Sequence, residues 1–295
     1  FGGKVEFIYR GYLDGVDMAM MIHSGSLKEG KALNINAGCN GCVTKNILFK
    51  GVSAHAGGAP EKGVNALYAA TCGLNAVNAI RETFVDDEHI RFHPIITEAG
   101  LAVNAIPEAA KVESYVRGAS YDSIYRYNKK VNLALAGAAA SIGCRLELND
   151  RPGYFPLNND PNMSDVVAAA MEAVAGPDSV ERTDVWGTGC TDMGDVSAIM
   201  PAVHPHASGA VGTGHGCDYY IQDKELACVR PAQCLAVAAD MLPSGGGELA
   251  KKVIAEAKPC FKSKEEYLAA IDRLEMSQEA VIYNEDGTVT LDYSR

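Results

Sequence analysis

The chain has 295 residues, of which 47% are apolar and 21% charged, and its formal net charge is -11. This length favours two domains over one core, and the acidic balance argues against a nucleic-acid surface, which needs a basic face. No apolar run reaches the roughly 18 residues of a membrane span and no signal-peptide pattern opens the chain, so we expect a cytoplasmic protein without a membrane partner.

The N-terminal segment combines a predicted helix with a predicted buried strand. Apolar residues at helical spacing predict a helix that ends at Gly15, and residues 16–23 form an apolar run of strand length. His23 ends this strand, and ligand sites of α/β sheets lie outside the carboxyl ends of the strands. His23 is therefore a candidate metal ligand, with a hydrogen-bonded structural histidine as the alternative.

Cys39 and Cys42 form the only C-x-x-C pair among nine cysteines. A zinc ribbon needs a second such pair, and a thioredoxin-like site needs a helix directly after the pair, whereas a strand is predicted from Val43. We interpret both cysteines as structural thiols in a reducing compartment.

Residues 41–154 have the pattern of an inserted domain. Strand, helix, strand, strand, helix and strand are predicted in this order at 43–53, 62–84, 89–98, 110–117, 121–142 and 145–149. The βαββαβ order is that of a ferredoxin-like unit. A linker rich in proline and asparagine follows at 151–161. The sequence therefore predicts an α/β domain of residues 1–40 and 155–295 that residues 41–154 interrupt.

Three polar residues of the inserted domain are candidate site residues. His55 lies in a glycine-rich loop before a helix and can reach outward, although such a histidine can also serve only its own loop. Asn104 and Arg117 lie in the loop and at the strand end of the middle hairpin. An arginine with an asparagine suits a carboxylate, because the guanidinium offers paired donors. A solvated surface arginine is the alternative.

Residues 186–220 are rich in side chains that bind cations or move protons. Three histidines and a pair of aspartates three residues apart lie here: His204, His206, His215, Asp192 and Asp195. Glycines let the backbone approach a ligand closely, so we predict one wall of a metal cleft, with a glycine-rich loop system as the alternative. A short helix is predicted from Asp192, and Asp195 in its first turn would complement the helix dipole. The run VHPHASG at 203–209 is predicted to be a strand.

The remaining chain is predicted to be helical at 162–175, 224–242, 248–257 and 264–274, with a short strand at 179–186 and a C-terminal strand ending at Arg295. None of these elements carries recognisable chemistry.

Four motifs together resemble one enzyme family. They are FKGVSAHAGGAPEKGVNAL, VNAIPEAAKVESYVRG, TDMGDVSAIMP and GTGHGCDYY, in this order. They are similar to motifs of the zinc metallopeptidase and amidohydrolase family that includes aminoacylases, glutamate carboxypeptidases, indole-acetyl-amino-acid hydrolases and aminobenzoyl-glutamate hydrolases. The TDMGDVS form is most similar to the last of these.

The resemblance implies a catalytic α/β domain that holds two metal ions and is interrupted by a ferredoxin-like dimerisation (lid) domain. It implies a divalent metal as cofactor, with zinc expected and manganese or cobalt as alternatives. The implied partners are a small-molecule or peptide substrate and a second copy of the chain, bound through the lid domain.

The resemblance also implies roles for five residues. His23 and His215 match metal ligands, and His55 matches a histidine that steadies an oxyanion in the partner protomer. Asn104 and Arg117 match positions that hold the substrate carboxylate. No role is implied for Asp192 or Asp195.

The family's other ligands have no counterpart here, because the upstream His-x-Asp or Cys-Gly-His segment and the catalytic Glu-Glu pair are missing. The chain resembles a member without about its first hundred residues, and two ligands are fewer than the three protein ligands of a catalytic zinc. We expect a complete enzyme to hydrolyse an amide bond of an N-acyl amino acid, aminobenzoyl-glutamate or small peptide, and this chain alone to be inactive. The alternatives are a non-catalytic dimerisation or binding module, and a hydrolase that uses Cys217 beside His215.

Overall fold

The computed structural model describes residues 2–294, so the predicted domain bounds at Phe1 and Arg295 and the end of the C-terminal strand lie outside the described residues. The α-helices are α1 (Gly3–Tyr9), α2 (Ala66–Ile80), α3 (Tyr121–Ile142), α4 (Pro161–Ala175), α5 (Met193–Ser197), α6 (Arg230–Met241), α7 (Glu248–Glu256) and α8 (Lys264–Asp272). The strands are β1 (Ala19–Met20), β2 (His23–Ser24), β3 (Leu33–Ile35), β4 (Gly38–Cys39), β5 (Gly41–Lys50), β6 (Arg91–Phe92), β7 (Ile95–Ala99), β8 (Ala109–Gly118), β9 (Arg145–Tyr154), β10 (Leu157–Asn158), β11 (Val180–Arg182), β12 (Trp186–Gly187), β13 (Ala202–Val203), β14 (His206–Ala207), β15 (Ala210–Val211), β16 (Tyr220–Ile221), β17 (Met276–Glu279), β18 (Val281–Tyr283) and β19 (Val289–Leu291).

The chain divides into two compact units. We call residues 40–154 with 268–294 the inserted unit, and residues 2–39 with 155–267 the flanking unit. The structure differs from the predicted division at the C-terminus, because residues 268–294 belong to the inserted unit. The reason is pairing and burial: β17 lies antiparallel to β9, and Met276, Ala280 and Val281 enter the core of the inserted unit.

The inserted unit contains an antiparallel sheet with the strand order β17-β9-β5-β8-β6, and β7 also pairs with β8. Without β17, this is the order of a ferredoxin-like sheet, in which the fourth strand neighbours the first. The predicted second strand, 89–98, is divided into β6 and β7 around Pro94, which has no N–H to donate. The predicted α/β class and ferredoxin-like unit are confirmed.

Local signals explain why the helices of this unit form where they do. The Ser120 hydroxyl accepts the Ser123 N–H and the Ser123 hydroxyl accepts the Ser120 N–H, which is a capping box at the start of α3. Gly143 ends the helix with φ 83°, a left-handed conformation that glycine adopts without strain. The apolar faces of α2 and α3 then pack on Phe49, Val116 and other buried residues of the sheet.

A buried polar network lies between α3 and the sheet. The ammonium group of Lys45 donates to Asn128 Oδ1 at 2.9 Å, to Asn132 Oδ1 at 2.5 Å and to Asp150 Oδ1 at 2.6 Å. The second carboxylate oxygen of Asp150 accepts from both asparagine amides, at 2.7 and 3.2 Å. Burial lowers the pKa of Lys45, and Asp150 opposes this shift. Three donors with three acceptors satisfy the ammonium group completely.

The flanking unit is built from short strands and three larger helices. β3 pairs in parallel with β11 and antiparallel with β14, and β14 continues in parallel to β2. The helices α4, α6 and α7 cover this sheet with an apolar core that contains Leu33, Met163 and Val203. Asp160 accepts the Met163 N–H and Pro161 opens the helix, so α4 begins directly after the predicted linker.

Within residues 2–294, none of the helices combines the length and the apolar composition that crossing a lipid bilayer requires.

Candidate functional site

The candidate site of the flanking unit is built on a parallel ladder. Four N–H groups donate to carbonyl groups over 2.7–3.1 Å: Ala19 to Pro201, Met21 to Val203, His23 to Pro205 and Gly25 to Ala207. Pro201 and Pro205 have no N–H to return, so two-residue strands replace the single strands predicted at 16–23 and 203–209. The ladder places His23 directly opposite His206.

Three imidazole rings come together on this ladder. The ring centroids of His23 and His206 are 5.5 Å apart, those of His23 and His204 are 6.1 Å apart, and those of His204 and His206 are 5.9 Å apart. Alternate residues of an extended chain project to the same side, which explains why His204 and His206 both face His23. The predicted wall of a metal cleft at residues 186–220 includes His204 and His206 but gives neither a ligand role, although the alternation of histidines in VHPH was a usable signal.

His204 is the most buried of the three histidines, with an exposed fraction of 3%. Within residues 2–294, neither of its ring nitrogens has a hydrogen-bond partner. Burial lowers the pKa of His204 to about 4, and the neighbouring His206 and His23 add to this shift. Burial also lowers the pKa of His206. The His204 ring is therefore neutral at pH 7, with one donor and one acceptor unused.

The exposed ring of His23 has a defined tautomer. Its Nδ1 lies 2.6 Å from the carbonyl oxygen of Ser24, which can only accept, so Nδ1 carries the proton. Nε2 of His23 then presents a lone pair, which is the form of imidazole that binds a metal.

His215 lies in the loop of the hairpin formed by β15 and β16, as the glycines around it predict. Its φ of 64° is in the left-handed region, which is uncommon for a histidine. The loop is tied to the chain just after His23, because the Tyr219 hydroxyl donates to the Ser24 carbonyl at 3.1 Å and the Ser26 hydroxyl donates to the Ala210 carbonyl at 3.0 Å. The structure thus joins the two segments that carry the predicted ligands His23 and His215.

The histidine side chains of this region are of the type that binds a transition metal, but they are not arranged as a metal site. Within residues 2–294, no group of three or more His, Cys, Asp or Glu side chains already stands in an arrangement that could hold a metal ion. Imidazole nitrogens are nevertheless the donors that zinc and related ions prefer, and both ring nitrogens of His204 lack a hydrogen-bond partner among the described residues.

Asp192 and Asp195 differ in environment. Asp192 forms an ion pair with Lys4 at 2.6 Å, and both charges act on the pKa of His204. Asp195 is buried and accepts the Phe155 N–H at 3.2 Å and the Tyr267 hydroxyl at 3.0 Å. Burial beside Asp195 raises the pKa of Tyr267. Asp195 therefore holds α5 to the neighbouring chain, whereas Asp192 contributes charge near the histidines.

In the inserted unit, His55 also has a defined tautomer. Its Nδ1 accepts the N–H groups of Gly57, at 3.2 Å, and Gly58, at 2.9 Å. Nδ1 therefore has no proton, and Nε2 of this exposed ring is a hydrogen-bond donor. A neutral donor of this kind can stabilise a developing oxyanion.

Asn104 lies beside His55, whereas Arg117 does not. The Asn104 carbonyl accepts the Ala56 N–H at 2.9 Å, and His55 pairs with Ala105 in an isolated bridge. Arg117 is at the far end of β8, which at about 3.3 Å per residue is roughly 26 Å along the strand from Ala109. Within one chain, the inserted unit does not bring Arg117 to Asn104, so the predicted pairing of the two on one carboxylate is not formed inside this unit.

Comparison with known proteins gives a family match and several relatives. Residues 38–149 match the peptidase dimerisation domain family. The chain is 28% identical over 247 residues to the human Xaa-Arg dipeptidase, which covers 81% of this chain and 55% of that protein. It is 32% identical over 214 residues to one of the two p-aminobenzoyl-glutamate hydrolase subunits from Escherichia coli, covering 69% of this chain and 46% of that relative. The chain thus spans about half the length of these relatives.

Solved structures show the same fold. An aminobenzoyl-glutamate utilization protein from Klebsiella pneumoniae has a TM-score of 0.61 at 23% identity, with 81% of this chain and 58% of that chain covered. A dinuclear metal-binding peptidase of the M20 family from Bacillus subtilis has a TM-score of 0.58 at 18% identity, with 80% and 60% covered.

Proposed function

We propose that the chain acts, as a member of the M20 family of peptidases and amidohydrolases, in metal-dependent hydrolysis of an amide bond beside a carboxylate. The proposed substrates are N-acyl amino acids, aminobenzoyl-glutamate and small peptides. They follow from the relatives, which include Xaa-Arg dipeptidases, an indole-3-acetyl-aspartic acid hydrolase and both subunits of p-aminobenzoyl-glutamate hydrolase.

One observation carries this proposal. The loop with His215 is bonded to the chain next to His23, through the Tyr219 hydroxyl and the Ser24 carbonyl. A strand-end histidine and a loop histidine from distant parts of the sequence are thereby built into one region of the flanking unit. Such convergence is what a metal-dependent centre requires and what an unrelated loop system would not need.

The cofactor proposed for this region is a divalent metal ion, with zinc expected and manganese or cobalt as alternatives. His23 and His215 are the proposed ligands, and a bound ion would supply a Lewis acid and an activated water. The lone pair of His23 Nε2 is held ready by the bond from Nδ1 to Ser24.

The chain's other residues would bind and orient the substrate. His55 is a proposed donor to the developing oxyanion, because its proton is on Nε2. Asn104 and Arg117 are proposed to hold the substrate carboxylate. Since they lie at opposite ends of β8, one carboxylate could contact both only if they come from different protomers. We therefore propose a homodimer through the inserted unit, which matches a peptidase dimerisation domain.

The test is release of free amine from N-acetyl amino acids, p-aminobenzoyl-glutamate and dipeptides, by the 295-residue chain and by the full product of its reading frame. With two family-matched ligands, we expect the 295-residue chain alone to stay below about 1 turnover per second. The full product should hydrolyse one of these substrates with zinc, manganese or cobalt, and His215→Ala should abolish this activity. Absence of hydrolysis by both proteins with all three ions would contradict the proposal and favour a non-catalytic dimerisation module.

A further inference from the structure

Two arginines stand directly opposite each other on the sheet of the inserted unit. Arg91 of β6 pairs with Arg117 of β8 in the antiparallel register. Residues that face each other across two strands lie on the same side of a sheet, with their Cβ atoms about 4.5–5.5 Å apart. The next residues of the same ladder, Phe92 and Val116, are buried in the core that α2 and α3 cover. Both arginines therefore point to the other, open face of the sheet.

We propose that Arg91 is a second carboxylate-binding residue beside Arg117, and that the two together select a substrate whose carboxyl-terminal residue is aspartate or glutamate. The inference rests on the proposed function, in which Arg117 holds the substrate carboxylate. It adds a residue that lies outside the four motifs of the family resemblance.

The charge balance of the open face supports an anion at Arg91. Like charges directly opposite each other destabilise a sheet. A second cationic pair on this face, Lys50 opposite Arg145, is compensated within the unit, because Lys50 forms an ion pair with Glu147 and Arg145 forms one with Glu279 at 3.7 Å. Among the ion pairs of residues 2–294, none includes Arg91. The charge of Arg91 is therefore available to a carboxylate from outside the chain.

Both guanidinium groups are placed to receive a ligand. Nη1 of the exposed Arg91 donates to the Ile90 carbonyl at 2.9 Å, which uses one of its five N–H groups. The guanidinium carbon of the half-buried Arg117 lies 5.3 Å from the centre of the Tyr115 ring, a cation–π contact that orients this side chain on the open face. An arginine binds a carboxylate through two parallel hydrogen bonds, so two neighbouring arginines suit two carboxylates.

The separation of the two arginines selects the substrate class. Neighbouring strands lie about 4.8 Å apart, and aspartate and glutamate each carry two carboxylates joined by a chain of only a few carbon atoms. One such residue can therefore reach both guanidinium groups. A carboxyl-terminal arginine or lysine would bring a third cation to this pair, which like-charge repulsion disfavours. Among the proposed substrates, the pair thus favours aminobenzoyl-glutamate and the N-acyl derivatives of aspartate and glutamate.

The first test is ligand binding, because it does not require hydrolysis. The 295-residue chain is titrated with N-acetyl-L-glutamate and with N-acetyl-L-glutamine, which has a neutral side chain of the same shape, and binding is followed by NMR. We expect the wild type to bind the glutamate compound about 10-fold more tightly, since hydrogen bonds to charged groups are the stronger ones. Arg91→Gln should lose most of this preference and bind the glutamine compound as the wild type does. Arg145→Gln, at an arginine of the same face that pairs with Glu279, is the matched control and should keep the preference.

The second test is hydrolysis by the full product of the reading frame. Arg91→Gln should lower kcat/KM for p-aminobenzoyl-glutamate about 10-fold and leave that for p-aminobenzoyl-glutamine unchanged. Equal losses on the two substrates would indicate a structural role of Arg91 and overturn the inference. If the wild type hydrolyses neither substrate, the proposed function fails, and the binding preference then decides the inference by itself.

Three binding results would overturn the inference. They are equal affinity of the wild type for the two N-acetyl compounds, a preference that Arg91→Gln keeps, and inorganic phosphate that binds more tightly than N-acetyl-L-glutamate, which would assign the arginines to a general anion site. Circular dichroism identifies a variant that does not fold. In that event Arg91→Lys, which keeps the charge without the paired donors, replaces Arg91→Gln and should show a reduced preference.

Discussion

Lys45 in the inserted unit and His204 in the flanking unit are both almost fully buried, with exposed fractions of 1% and 3%. The ammonium group of Lys45 has three acceptors within hydrogen-bond distance, whereas the ring of His204 has no partner at either nitrogen in the part of the chain that the structure describes. A satisfied buried group stabilises one arrangement of the fold. An unsatisfied one costs stability unless water or another group supplies the missing partner. Lys45 therefore belongs to a satisfied structural network, whereas the His204 ring has hydrogen-bonding capacity that is not used within residues 2–294.

The largest expected effect is the loss of stability when Lys45 is replaced. Lys45→Met leaves Asp150 buried without a counter-charge, so we expect a loss of about 3–5 kcal/mol in the free energy of unfolding. Urea denaturation measures this loss. Lys50→Met is the matched control, because the exposed pair of Lys50 with Glu147 should be worth at most about 1 kcal/mol. Equal losses of unfolding free energy in the two variants would contradict a structural role of the Lys45 network.

The pH dependence of the free energy of unfolding tests whether burial lowers the pKa of His204. The folded pKa of about 4 is below the usual value of 6.5, so the unfolded chain takes up the proton first. The stability contribution is therefore complete above pH 6.5 and is lost as the pH falls towards 4, by up to about 3 kcal/mol. Urea denaturation of metal-free protein between pH 7 and 4 should show this loss, and His204→Phe should reduce the slope. The same slope in both proteins would show that His204 is not the group responsible.

A smaller effect is expected for the hydrogen bond that Asp195 accepts from Tyr267, and it tests the structural role of Asp195. Tyr267→Phe removes the hydroxyl that donates to Asp195, and we expect a loss of about 1–2 kcal/mol in the free energy of unfolding. Tyr68→Phe, at an exposed tyrosine, is the control and should change stability little. If Tyr267→Phe were as stable as this control, Asp195 would not be a tether of α5.

The smallest expected effect concerns Lys4. Its ion pair with Asp192 is partly exposed, so Lys4→Met should change the free energy of unfolding by about 0–1 kcal/mol. The same substitution should raise the pKa of His204, because Lys4 lowers that pKa and Asp192 opposes it. NMR titration of the His204 ring in metal-free protein measures the shift. An unchanged pKa would separate the Lys4–Asp192 pair from the histidine cluster.

Much of the inserted unit could be predicted because its signals are local. The bounds of α3 follow from Ser120 and Gly143, and its strands alternate between buried and exposed residues. The pairing of β17 with β9 could not be predicted, since it depends on which strand edge was open in the folded unit. Long-range pairing is not encoded in a window of sequence.

The candidate site was only partly predictable for the same reason. The sequence predicted that His23 ends a strand and that the VHPH segment is extended, and both segments lie in the ladder. It did not predict that these two strands are neighbours or that His206 lies opposite His23. The register creates the three-ring cluster, and a register is fixed by backbone pairing across the whole unit.

The most direct measurement is a crystal structure of the zinc-loaded chain, with anomalous diffraction recorded at the zinc absorption edge. We predict one peak about 2.0–2.1 Å from a ring nitrogen of both His23 and His215. A zinc peak that contacts neither histidine, or no peak in the flanking unit, would contradict the account.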